Sequence, residues 1–229
     1  MDLAENLNNS FGYAKKLFTD AGRLIVLIVL ELIPIVNWIV VGYGTKVLKE
    51  SPGSDAPPKL EKYGELFVEG GKVFLASLIY MIVPLILIAG GIGSFIAAMV
   101  IRGGPDFMTR GFRFGEMFLL GGMGIMLVLV GAVLAFFILI FLGAAIAHMV
   151  KTGQFGKAFA FGEVLSLIRK IGWGKYLGWI ALVVVISVVV GAAGGAIPYL
   201  GWLVRAIVSP ILAVFLFRSL GLLYSEGSA

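Results

Sequence analysis

The chain has no cysteine and a single histidine among its 229 residues. Disulfide frameworks, thiolate zinc sites, iron–sulfur clusters and c-type haem attachment therefore lack their ligands, and no metal or cofactor is expected. Charge is scarce as well: 14% of the residues are Asp, Glu, Lys or Arg, against about 25% in a soluble domain. No pair of titratable residues is placed for acid–base or nucleophilic work, so an enzyme is not expected. No lysine lies deep in an apolar run, which excludes a retinal-type Schiff base, and Gly103-Gly104 lacks the lysine and strand of a nucleotide loop.

Apolar residues fill the gap. They make up 60% of the chain, and the mean hydropathy is +1.04. This composition predicts an all-α, polytopic membrane protein in the cell membrane, built from transmembrane or re-entrant helical hairpins plus interfacial amphipathic helices. The net charge of +5 comes from Lys and Arg placed almost entirely between apolar runs, where they meet anionic headgroups. Membrane lipids are thus expected partners and nucleic acid is not. The largest polar stretch, residues 44–72, balances five lysines against five acids. The first apolar run begins at Leu24 behind both acids and bases, unlike the basic lead of a cleaved signal peptide.

Residues 1–19 place Leu3, Leu7, Phe11, Ala14 and Phe18 at helical spacing, the pattern of a helix lying in the membrane interface or capping a bundle. Residues 22–50 read as a proline-tipped hairpin or a span, interrupted by Glu31 and by Pro34 and Asn37. Each hairpin arm would be about 21 Å long, short of a hydrocarbon core of about 30 Å. Residues 51–62 are a flexible linker. The stretches 63–101 and 114–150 are long broken apolar blocks, the first interrupted by Pro84 and by Gly90-Gly91-Ile92-Gly93, the second without a strong turn signal at its middle near Gly131. Residues 153–172 hold a second interfacial helix, and 174–224 a hairpin of two spans turning at Pro198.

Two similarities point to an internal repeat. Ile33-Pro34-Ile35-Val36-Asn37-Trp38 matches Ile197-Pro198-Tyr199-Leu200-Gly201-Trp202, as if one hairpin tip were used twice. An aromatic-Gly-Glu unit recurs at Tyr63-Gly64-Glu65, Phe114-Gly115-Glu116 and Phe161-Gly162-Glu163, each just ahead of an apolar or interfacial helix. The ring anchors at headgroup level and the glutamate complements the helix dipole.

Topology sets two readings against each other. With five simple spans, Lys and Arg number three, five, three and five in successive polar segments. Strict alternation would then leave half of the bases on the wrong side. If the first three apolar blocks each enter and return, all charged segments share one face, and this return-hairpin reading is favoured.

The stretches Ala145-Ile146-Ala147-His148, Thr152 to Phe159 and Phe161-Gly162-Glu163-Val164, with Leu32 to Asn37, Gly42-Tyr43 and Gly64 to Phe67, carry a resemblance. They resemble a family of archaeal and bacterial polytopic membrane proteins catalogued as domain of unknown function 4013, over roughly residues 10–224. The segment from His148 to Phe161-Gly162-Glu163 is its most specific part. Met149 departs from the aromatic associated with that place in relatives, as does the linker before Gly64. The resemblance implies a helical membrane protein and supplies no activity or site residues.

Glu31 is the leading candidate, because an intramembrane carboxylate is costly. It is expected to form an ion pair with Arg205, or else to serve a proton or solute site with Asn37, which more simply caps the turn. His148 reads as a hydrogen-bonded structural residue or, less simply, as a pH sensor. Arg102, Arg110 and Arg113 are candidate lipid-headgroup contacts. Gly90, Ser94, Gly131, Gly143, Gly191 and Gly195 belong to small-residue pairs at four-residue spacing that let helices approach closely. The expected function is a non-enzymatic, self-associating scaffold of the bilayer. A small-solute or ion transporter or channel subunit is the alternative, and an accessory subunit of a larger membrane complex a third reading.

Overall fold

The computed structural model describes the backbone of residues 1–102, 114–195 and 201–228 and the side chains of 1–97, 121–192 and 201–228. The described residues are almost all helical. Among them eight α-helices follow one another: α1 (Leu3–Lys15), α2 (Ala21–Glu31), α3 (Trp38–Glu50), α4 (Tyr63–Arg102), α5 (Phe114–Thr152), α6 (Phe161–Ile171), α7 (Trp173–Gly195) and α8 (Gly201–Ser228). The three aromatic-Gly-Glu units open α4, α5 and α6. Asp2 and Asp20 cap α1 and α2 by accepting the backbone N–H of Glu5 and Arg23, and Gly172, at φ 94°, ends α6.

Four helices, α4, α5, α7 and α8, are long and apolar enough to cross a membrane, and the chain is a multi-pass membrane protein. The return-hairpin reading fails for the second and third apolar blocks. α4 runs through Pro84 and Gly90-Gly91, and α5 through Gly131, without a break. In lipid, an interrupted helix that cannot hydrogen-bond water costs more than one irregular turn, so these residues stay helical. In the first block α2 and α3, about 16 and 20 Å long, are joined by residues 32–37 around Pro34.

The described residues form two compact units, Met1–Ala76 with Phe141–Ala229, and Ser77–Ile140. In the first, α8 is the central element, packed by α1, α2, α3, α6 and α7. Its core joins Tyr13, Ala14 and Leu17 to Leu27, Ile39, Val40, Tyr43, Val47, Leu66 and Val214. α3 and α4 touch backbone to backbone: a Cβ added at Gly42 or Gly70 would collide with the carbonyl of Leu66 or Trp38.

α1 meets α8 through a partly polar face, contrary to the expected apolar one. Asn6, Ser10, Tyr13 and Ala14 are buried while Phe11 and Phe18 are exposed. The Asn6 amide donates to the Ser219 carbonyl at 3.1 Å, the Ser219 hydroxyl to Asn6 at 2.5 Å, and the Trp179 indole to that hydroxyl at 2.8 Å. This network rewards a polar face where lipid would not.

Residues 51–62 are likewise not a free tether. The Tyr13 hydroxyl donates to the Ala56 carbonyl, Arg23 to those of Pro57 and Pro58, and Tyr43 to that of Pro58 at 2.7 Å. Burial raises the Tyr43 phenol far above its usual range, so it remains a neutral donor. Arg218, 2% exposed, donates to Asn9, Ser51 and the Ser54 carbonyl and lies 4.5 Å over the Tyr13 ring. Proline had suggested looseness; with fixed φ and every strap carbonyl available as an acceptor, it gives a belt instead.

In the second unit, α4 and α5 pack antiparallel. Gly91 lies against Gly124 and Val128, and Gly131 against Pro84, Leu87 and Ile88. The Ser94 hydroxyl bonds back to the Gly91 carbonyl at 2.9 Å and borders Gly124.

Candidate functional site

The α2–α3 hairpin is polar at its base and apolar at its tip. Asp20, Arg23, Lys46, Lys49 and Glu50 stand at the base, whereas Ile25, Val26, Val29, Leu32, Ile33 and Ile35 line an exposed outer face that runs to the tip. Ile35 sits at φ 71°, a left-handed conformation that β-branched residues rarely adopt, and is 60% exposed.

Glu31 ends α2 beside this tip. Its Oε1 accepts the Ser209 hydroxyl at 2.7 Å. Ser209 lies midway along the apolar stretch of α8, about 12 Å from Gly201 and about 14 Å from Arg218. The expected Glu31–Arg205 ion pair does not form. Arg205 is one turn nearer the start of α8 and donates instead to the Gly191 carbonyl of α7 at 3.2 Å. The match between the two proline motifs suggested a level contact, but α8 meets the hairpin at Ser209. Asn37 occupies the capping position of α3, yet its side chain makes no capping hydrogen bond; its carbonyl accepts from Val40 and Val41.

The inner flank of the hairpin is polar near its base. α3 and the start of α4 border an open cleft of about 960 Å³ lined by Lys46, Lys49, Glu61, Lys62, Glu65 and Glu69, among others. Lys46 pairs with Glu61, Lys62 with Glu65 and Lys72 with Glu69. The hairpin thus shows one apolar face and one polar face.

A second constellation gathers around His148. Its Nε2 lies 2.7 Å from Glu163 Oε2 and its Nδ1 3.1 Å from the Tyr224 hydroxyl, while Lys157 Nζ reaches Glu163 Oε1 at 2.5 Å. A carboxylate accepts from Nε2–H, which leaves Nδ1 to accept the tyrosine proton. Lys157 and His148, both bonded to it, hold the Glu163 carboxyl below the usual carboxylate range. His148, Glu163 and Tyr224, with Ser166, Lys170 and Ser228, line an open depression of about 340 Å³. The array ties the end of α5 to α6 and to the end of α8.

Arg102, Arg110, Arg113, Gly195 and Pro198 lie outside the residues whose side chains are described. Of the other small-residue positions, Gly131 and Ser94 pack within the α4–α5 pair and Gly143 faces Tyr176 and Trp179 of α7. A Cβ added at Gly90 or Gly191 would meet nothing within 4 Å; in α4 the helix contact is made by the neighbouring Gly91. Among the described residues no three His, Asp or Glu side chains converge as a metal site requires.

The motif stretches that bear the resemblance, around His148 and Glu163, thus meet in space. A family model described as protein of unknown function DUF4013 matches residues 25–199. The chain belongs to this family. Within the DUF4013 match fall Glu31, Asn37, Lys157, His148 and Glu163; their partners Ser209 and Tyr224, and the buried Arg218, lie beyond it. No curated protein and no solved structure matches the chain. Sequence reading passed over Ser209, Tyr224 and Arg218 because a serine, a tyrosine and an arginine in a long apolar helix carry no signal until their partners are known.

Proposed function

We propose that this DUF4013 chain is a non-enzymatic protein of the cell membrane that shapes the bilayer and self-associates, with the α2–α3 hairpin as a wedge in one leaflet. The observation that carries the reading is the level of the hairpin tip. The Glu31–Ser209 hydrogen bond sets the tip at the middle of the apolar stretch of α8, and the outer face of α2 is apolar over that whole depth. A segment that enters half-way and returns displaces lipid from one leaflet only, which favours curvature. The strained, exposed Ile35 supports it: such a residue at a water-facing turn would give way to glycine or asparagine, whereas in hydrocarbon its side chain is favoured.

Charge distribution supports an orientation. A returning hairpin followed by four crossings puts fourteen of the eighteen Lys and Arg on one side: eight ahead of the α4 apolar run, five between α5 and α7, and Arg218. That is the cytoplasmic side by the positive-inside tendency. Lys151, at the end of α5, donates to the Lys49 and Ser51 carbonyls, so these basic segments are in contact. Self-association is supported by Gly90, Gly93 and Gly191, which stand open on helix surfaces where a neighbouring helix can approach closely.

The test is reconstitution into vesicles of mixed diameter. The protein is expected to enrich in the most curved vesicles and to deform large ones, and an Ile33→Ser, Ile35→Asn double variant to lose both effects while still assembling. Indifference to curvature together with selective solute flux would replace this reading with a transporter.

A further inference from the structure

Among the described residues, Glu31 is the carboxylate whose surroundings the wedge changes entirely. One of its oxygens accepts from Ser209, and among the described residues no cation lies within ion-pair distance of either. On α8 the charged groups nearest in sequence to Ser209 are Arg205, committed to the Gly191 carbonyl, and Arg218, about 14 Å toward the base. On α2 the next charge is Arg23, engaged by Asp20, Pro57 and Pro58. On α3 none precedes Lys46, and on α4 Lys72 is bonded to Glu69. A hydroxyl is a single neutral donor, far short of what an ionised carboxylate loses on leaving water. The group is only partly buried by protein, and on the wedge reading what surrounds it beside the outer face of α2 is lipid.

We propose that Glu31 is a proton-binding site at the wedge tip: it carries a proton at mid-depth, and loss of that proton draws the hairpin toward the basic face. The inference rests on the wedge reading. The neutral acid keeps the Ser209 hydrogen bond through its carbonyl oxygen and sits in hydrocarbon at modest cost. The carboxylate does not, and reaching water requires the tip to slip along α8 and give up the Ser209 bond. Wedge depth, and with it the curvature the protein supports, then falls as pH rises.

Carbodiimide labelling tests this, because only a protonated carboxylic acid adds its O–H across the reagent's C=N bond. An ordinary glutamate is protonated about one part in 500 at pH 7, so a stably protonated Glu31 should react on the order of a hundredfold faster than a surface glutamate. Reconstituted protein treated with the membrane-soluble dicyclohexyl reagent is expected to carry the adduct on the peptide containing Glu31. Labelling should fall as pH is raised and be absent in Glu31→Gln, which retains an acceptor for Ser209. Labelling of Glu31 by a water-soluble carbodiimide as fast as at Glu65 would place the residue in water and overturn both the proton site and the wedge. An adduct from neither reagent, with an infrared carboxylate band that vanishes in Glu31→Gln, would show an ionised Glu31 inside the protein; this overturns the proton site and leaves the wedge standing.

Discussion

Replacing Ile35 with asparagine gives a change whose sign depends on what surrounds the hairpin tip. At φ 71° the isoleucine backbone costs about 1–2 kcal/mol that asparagine, at home in the left-handed region, largely avoids. Were the tip in water, Ile35→Asn would therefore stabilise the protein by about 1 kcal/mol or more. In hydrocarbon two terms oppose this gain. Full burial of an isoleucine is worth about 1.5–3 kcal/mol; with 60% of Ile35 uncovered by protein, about 1–2 kcal/mol of it comes from lipid. Burying an unpaired side-chain amide costs about 1–3 kcal/mol more. The sum is a net destabilisation of about 2 kcal/mol. Reversible unfolding in lipid bicelles, followed by circular dichroism, reads the difference directly. A stabilised Ile35→Asn would refute the placement of the tip in the bilayer.

Other consequences are independent of depth. Gly70→Ala should cost about 3 kcal/mol, since the new methyl meets the Trp38 carbonyl and the backbone of Gly42, while Gly64→Ala, with nothing within 4 Å, should be close to neutral in the same melt. Arg218→Met should lower stability by about 3 kcal/mol by leaving Asn9, Ser51 and Ser54 without their donor, and should expose the 51–62 strap to protease; an intact strap would contradict its clamping by Arg218. The depressed Glu163 carboxyl contributes stability that is fully present above the ordinary glutamate pKa and lost as pH falls through its folded value. Wild type should thus show an acid limb that Glu163→Gln flattens, and an unchanged limb in that variant would remove the His148 array from the account.

Much of this architecture was legible before any coordinates. Apolar run lengths marked the spans, Pro34 marked the hairpin, and the aromatic-Gly-Glu units marked three helix starts. Pro84 and Gly90-Gly91 misled because glycine and proline punctuate chains in water, whereas in lipid the backbone has no partner except its own helix. Along α4 the glycine set against α5 is Gly91 and not Gly90, since spacing alone does not fix the rotation of a helix. Glu31 was recognisable from its apolar neighbours, yet its partner was not: a repeat between two hairpin tips suggested Arg205, and the α8 register chose Ser209. His148 and Glu163 each stood in the motif region, but a contact across fifteen residues and two helices required the fold.

The depth of the hairpin tip is the most direct measure of the central claim, and the absence of cysteine makes it accessible. A single Ile33→Cys substitution can carry a fluorophore, its quenching compared between lipids brominated at different chain positions and aqueous iodide. The wedge predicts strongest quenching from bromine deep in the acyl chains and little from iodide. Strong quenching by iodide, with none from deep bromine, would contradict it.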